Sequence, residues 1–237
     1  MQRMGRVTVL PGIMSVRYHA PAAAGAVSWW VVAGKTCVAA YQPKGAADIA
    51  ASYVNLASPG TYNAAPGTAP TWDATSGWIF NGSTQYLTTG VIPTVFNTWT
   101  VIVRFSNVIG GATTIYYLCA TDVYSGVGVI GLSPQPFTTK HWYGNGNLVG
   151  VAGNLTSGVM CVAGLAGYLN GSSEATISSM AASPDKLRAF YIGCRNGNGA
   201  SDGPRMYIAA YVQAVALYSD TLTAAQVATL STAMAAL

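Results

Sequence analysis

Asn-Gly pairs, among them Asn81-Gly82, Asn145-Gly146, Asn170-Gly171 and Asn196-Gly197, punctuate the chain from residue 78 onward. A type I′ turn needs positive φ at both central residues, which Asn and Gly tolerate best, so each pair predicts a β-hairpin. The segments between them read as strands. In Trp99-Thr-Val-Ile-Val-Arg-Phe-Ser106, one face carries Trp99, Val101, Val103 and Phe105, and the other Thr100, Ile102, Arg104 and Ser106. That is the period-two alternation of a strand. Further strand-like runs are 78–80, 85–89, 114–119, 127–132, 159–169, 190–194 and 206–218. Many short strands at this spacing predict an all-β, two-sheet antiparallel jelly-roll sandwich.

Upstream, Thr36–Gln42 predicts another strand, and an Ala-rich stretch after it a short helix. Pro59-Gly60 and Pro66-Gly67 predict turns. At the other end Thr223 and Gln226 form a capping box, and Val227, Leu230, Met234 and Leu237 make an apolar stripe. These predict a short C-terminal helix docked on the sandwich.

With 51% hydrophobic and 8% charged residues, the chain is neither disordered nor a coiled coil. A membrane-spanning helix needs about 20 apolar residues, whereas the best stretch, 22–34, has 13 and includes two glycines and a serine. The N-terminus, interrupted by Pro11 and followed by Arg17 and His19, makes a poor signal peptide. Charge is uneven. Arg3, Arg6, Arg17, Lys35 and Lys44 stand in the first 47 residues without an acid, and the remainder has six bases against seven acids. The basic segment, residues 1–35, is expected to be an extended arm ending in Trp29 and Trp30, ahead of a domain over 36–237. Five charges over such a length are too dilute to predict nucleic-acid binding.

Cys37, Cys119, Cys161 and Cys194 form no C-x-x-C pair. Each lies in an apolar run suited to a buried thiol, and the spacing assigns no disulfide. Gly126, Gly128 and Gly131 match a dinucleotide fingerprint, but Pro134 and Pro136 oppose the helix it requires. No cofactor and no metal site is expected. Glycoside hydrolysis usually takes two flanking carboxylates. Glu174 and six aspartates are spread so widely that no strand presents a pair, and no G-x-S-x-G elbow occurs. The expectation is a chain that is not an enzyme, with a glycosidase built on Glu174 as the residual alternative. The most ligand-like segment is Lys140-His-Trp-Tyr-Gly-Asn-Gly-Asn147, where Trp142 and Tyr143 could stack on a sugar and Asn145 and Asn147 could bond its hydroxyls. The competing reading is a hairpin with its aromatics in the core.

Five segments recur in a telling order: Trp78–Leu87, Trp99–Phe105, Gly167-Tyr-Leu-Asn-Gly171, Tyr191-Ile-Gly193 and Ala210–Gln226. Together they resemble the concanavalin A-like lectin/glucanase superfamily, in its laminin-G-like or pentraxin-like branch, over residues 36–237. The resemblance implies a two-sheet jelly roll with a final strand and short helix. The chain lacks the E-x-D-x-x-E strand of laminarinase-type relatives and has Val212-Gln213-Ala214 where many relatives carry the acidic pair associated with calcium. Neutral domains of this style also look like tailed-phage virion proteins. The resulting expectation is a structural virion protein, a capsid decoration, tail or fibre component. It would dock on other virion subunits or on copies of itself through Arg3, Arg6, Arg17, Trp29 and Trp30. The alternative is an extracellular or cell-surface carbohydrate-binding module for a host glycan.

Overall fold

A computed structural model describes residues 28–109, 115–122, 129–134, 139–144, 147–153, 155–178, 188–198 and 201–237. The arm residues Arg3, Arg6 and Arg17, and Asn145 of the ligand-like segment, lie outside them. The described residues form two packed sheets, as the alternation predicts.

The first sheet holds β1 (Cys37–Tyr41), β3 (Thr71–Asp73), β4 (Gly77–Asn81), β6 (Thr100–Ile109), β11 (Gly158–Ala163), β12 (Ala166–Leu169), β13 (Ser172–Thr176) and β17 (Ala209–Tyr218). Its order is β13-β12-β11-β6-β17-β4-β3. β17 pairs with β6 along one side; on the other, β4 takes Ala209–Val212 and β1 takes the half ending at Tyr218. The second sheet runs β10 (Asn147–Ala152), β9 (Thr139–Gly144), β8 (Val129–Ser133), β7 (Cys119–Asp122), β14 (Tyr191–Ile192), β5 (Tyr86–Thr88) and β2 (Ala65–Thr68). Beside β14, β15 (Arg195–Asn198) lies parallel to β7 and pairs antiparallel with β16 (Ser201–Arg205). All other pairings of named strands are antiparallel.

The Asn-Gly pairs have diverse outcomes. At Asn170-Gly171 both φ values are positive, 50° and 86°, and Leu169 pairs with Ser172, the predicted two-residue hairpin. Residues 145 and 146 lie between the paired β9 and β10, where Gly144 faces Asn147. Asn81-Gly82 instead carries the chain from β4 in one sheet to β5 in the other. Asn81 Oδ1 accepts from the backbone N–H groups of Ser83, Thr84 and Gln85, so the side chain builds the turn itself. Asn196-Gly197 is a bulge within β15, with Gly197 at φ 93°. Pro66-Gly67 falls inside β2, an edge strand where a missing N–H is tolerated. The run 159–169 divides at Gly164 into β11 and β12, and in the run 114–119 strand pairing begins only at Cys119, apart from a bridge between Tyr117 and Tyr207.

Between the sheets Trp78, Phe80, Val101, Val103, Phe105, Met160, Val212, Val215 and Leu217 meet Leu87, Leu118, Ile130, Leu132, Trp142 and Ile192. The Trp78 indole N–H donates to Ser52 Oγ, at the end of α1 (Ile49–Ser52), the helix expected in the Ala-rich stretch. Asn55 ties the following connection to β1. Its fully buried amide accepts from the Ala40 and Ala57 N–H groups and donates to the Val38 and Thr61 carbonyls. All four cysteines are free thiols, and burial pushes the Cys37 thiol up to about 12.

A third layer covers the first sheet. α2 (Ala224–Ala235) begins at the predicted capping box, with Thr223 and Gln226 bonded reciprocally, and buries Val227, Leu230 and Met234. These side chains rest on Ile102, Cys161, Ala214, Ala216 and Tyr218, together with Trp29, Trp30 and Val32. Among the described residues no helix is long and apolar enough to cross a membrane.

Candidate functional site

Among the described residues no such layer of helix covers the outer face of the second sheet. Alternation along β5 sends Leu87 into the core and leaves Tyr86 and Thr88 on the outside. Tyr191 faces Thr88 in the register, and Tyr207 follows the β15–β16 hairpin. The three tyrosines converge: the Tyr86 ring centroid lies 5.0 Å from that of Tyr191 and 6.3 Å from that of Tyr207, and all three are partly exposed. Room for this arrangement comes from β2. The Tyr86 ring occupies the space where any side chain at Gly67 would stand, so it lies across the edge strand. Burial pushes the Tyr207 phenol up from its ordinary range.

Further along the same face Tyr117 and Tyr143 pack 5.2 Å apart, with Ala120 and Val129. Gly131 makes the corresponding space here, since a side chain there would meet Ala120 and the Tyr117 ring. Tyr117 is 1% exposed, and burial, with Tyr143 beside it, drives its phenol well above the usual range. Arg195 bonds Asp122 Oδ2 through Nε (3.1 Å) and Nη2 (2.5 Å), and its guanidinium carbon lies 5.9 Å from the Tyr117 ring centroid. The Asp122 side chain is 1% exposed, so the pair neutralises a buried carboxylate at the edge of the aromatic strip. His141, opposite Ser133 in the register, ends the strip. Its Nδ1 and the Ser133 hydroxyl are both buried without a hydrogen-bond partner among the described residues, and burial lowers the His141 pKa.

The residues singled out in the sequence sit differently. Trp142 is fully buried between the sheets, and its N–H donates to the Tyr168 carbonyl, so its ring is closed to a sugar. Tyr143, only 7% exposed, contributes packing to the strip rather than a free stacking face. Asn147 donates its amide to the Ser178 carbonyl. In this segment β9 and β10 pair, with Trp142 in the core between the sheets and Tyr143 in the separate cluster with Tyr117. Trp29 and Trp30 pack on the chain's own first sheet: Trp29 Nε1 donates to Gln42 Oε1 at 2.8 Å, and the Trp30 carbonyl accepts from the Tyr218 hydroxyl. Lys140 pairs with Glu174 at 2.6 Å. Tyr86, Tyr191 and Tyr207 escaped the sequence reading because they come from three separated segments. The only local signal was alternation in 85–89, which puts Tyr86 opposite Leu87.

No protein-family model matches the chain, and no curated protein matches its sequence. Solved structures do match in fold. A Trypanosoma rangeli sialidase in complex with sialic acid superposes with a TM-score of 0.55 at 19% identity, over 82% of this chain and 32% of the sialidase. Botulinum neurotoxin type C, whose cell entry depends on interaction with two ganglioside molecules, gives 0.55 at 10% identity over 84% of this chain and 51% of that one. The binding domain of botulinum neurotoxin DC, in complex with rat synaptotagmin II, gives 0.55 at 10% identity over 84% and 52%. This chain therefore spans about a third of the sialidase and half of each neurotoxin chain.

These likenesses bear out the jelly-roll, lectin-like fold that the family resemblance implied. They lend nothing to the phage virion setting. They also correct the expectation of a chain that is not an enzyme. Several of the matched structures are sialidases, so the same fold occurs in sialidase chains and the enzymatic status is open. The reasoning from strands failed because a catalytic group can be gathered from distant segments, as the tyrosines are here.

Proposed function

We propose that the chain is a carbohydrate-binding module whose ligand lies on the outer face of the second sheet. The observation that carries this reading is the convergence of partly exposed Tyr191 and Tyr207 on Tyr86, with ring centroids 5.0 and 6.3 Å from that of Tyr86. A tyrosine offers an apolar ring to the C–H face of a sugar and a hydroxyl to its polar edge, and a strip of them gives successive footholds. The buried Tyr117–Tyr143 pair and the Arg195–Asp122 bridge stiffen the sheet beneath and beside those rings. The matched sialidase bound to sialic acid and the matched neurotoxin with its gangliosides support a glycan as the ligand class.

A glycan array probed with the full chain, followed by titration of the best hit, tests the proposal. Wild-type binding weakened at least about tenfold by Tyr86→Ala and by Tyr207→Ala is the expected result. Binding indifferent to both changes would remove the tyrosines from the site.

A further inference from the structure

On the far side of the sandwich, beside the C-terminal end of α2, a second site can be assigned. A pocket of about 310 Å³ is lined by Arg104, Ser106, Ser157, Asn170 and Gln213, with Ala235 at its rim. This lies at the lower end of the size range for small-ligand sites, about 300–1,000 Å³. Its lining comes from five segments, and a fault in strand pairing brings its key residue there. Val212 of β17 faces Phe105 of β6, yet Ala214 faces Arg104, so Gln213 is the extra residue of a bulge. A bulge re-aims a side chain, and sites beside bulges are common for that reason. Here it places Gln213, 9% exposed, next to Arg104 in the pocket wall.

The electrostatics of this pocket are unbalanced. Arg104 donates one Nη1–H to the Met234 carbonyl at 2.8 Å, and among the described residues no carboxylate pairs with it. Partial burial lowers its pKa, a sign that the cation has lost water without gaining an anion. The Gln213 side-chain amide likewise has no protein partner among the described residues. Asn170 uses Oδ1 to accept from the Val159 N–H at 2.8 Å.

We infer that this pocket binds a small carboxylate flanked by hydroxyls, the chemistry of a sugar acid. A guanidinium fork matches a carboxylate in plane and takes it by two parallel hydrogen bonds. One cation neutralises one charge, which favours a monoanion over phosphate. The neutral amides and hydroxyls of Gln213, Asn170, Ser106 and Ser157 suit the hydroxyl groups of such a ligand. The site stands apart from the tyrosine strip and does not depend on it.

The test is titration of the full chain with sodium D-glucuronate, D-glucose and inorganic phosphate, followed by NMR. Glucuronate should bind more tightly than either alternative. Arg104→Gln should abolish that preference, but it also removes the bond to Met234 and so could loosen α2. Gln213→Glu is the cleaner variant, because it keeps Arg104 in place and fills the pocket's need for an anion from within. It should weaken glucuronate about tenfold or more while the protein stays folded. Glucuronate binding no tighter than glucose, tighter binding of phosphate, or glucuronate binding unaltered by Gln213→Glu would each overturn the assignment. Tyr86→Ala should leave glucuronate binding at this pocket unchanged, which separates its fate from that of the strip.

Discussion

The outer face of the first sheet is paved with Ile102, Cys161, Ala214, Ala216 and Tyr218 and sealed under α2 and Trp29–Trp30, whereas that of the second carries Tyr86, Tyr191 and Tyr207 partly in the open. Both faces arise from the same period-two strands with one side in the common core. What differs is the residue type on the outward positions. On the first face most outward side chains are apolar and gain nothing from water, and the Tyr218 hydroxyl is used within the chain, on the Trp30 carbonyl, so a further layer covers that face. Tyrosine has a ring that packs and a hydroxyl that is satisfied by solvent, so the second face is finished without a cover and remains available.

The largest effect should come from the residue that first looked most like a ligand contact. Trp142→Ala should cost about 3–5 kcal/mol in urea unfolding, because it empties the space between the sheets. Trp142→Phe, if folded, should leave glycan binding intact; loss of binding in a stable Trp142→Phe protein would return the ring to the site. Next comes the sealed face. Leu230→Ala should destabilise by about 2–5 kcal/mol, since its side chain is 2% exposed against the sheet, and it should not alter glycan affinity. Tyr207→Ala should do the reverse, costing about 1 kcal/mol or less while weakening the glycan about tenfold. If it destabilised as much as Leu230→Ala, the contrast between the two faces would fail.

The smallest effect is a matter of pH. Burial depresses the folded-state pKa of His141 below its ordinary 6.5. In the window between the two values the unfolded chain binds a proton that the folded one refuses. The stability tied to neutral His141 is therefore complete above pH 6.5 and lost as pH falls through the lowered value. His141→Gln should flatten that limb of the unfolding curve, measured by midpoint against pH.

The fold was legible because its signals are local. Alternation in 99–106 located β6, the capping box located α2, and Asn170-Gly171 made its hairpin. Where the signals misled, tertiary structure decided what local geometry allowed. Asn81-Gly82 is a competent turn in any context, but whether a turn joins neighbours or crosses between sheets depends on where the next strand finds its partner. The site was hidden for the same reason. Trp142 and Tyr143 are adjacent in sequence and point to opposite sides of one strand, whereas Tyr86, Tyr191 and Tyr207 are far apart in sequence and meet only once β5, β14 and the β15–β16 hairpin are assembled. Gln213 carried no signal at all, since a bulge is visible only against the partner strand.

β17 has an implication for how the protein is made. This strand pairs with β6, β4 and β1, so the middle of the first sheet is supplied by residues 209–218, which follow every other named strand in the chain. Until they emerge, β1 and β4 have no β17 to pair with, and β6 has an unpaired edge where β17 will sit. Until then those edges are exposed, and closing the sheet requires contacts of very long sequence separation, a combination that slows folding and invites aggregation. The nascent chain is thus an incomplete sandwich until β17 is made, and the first sheet can close only once residues 209–218 are available.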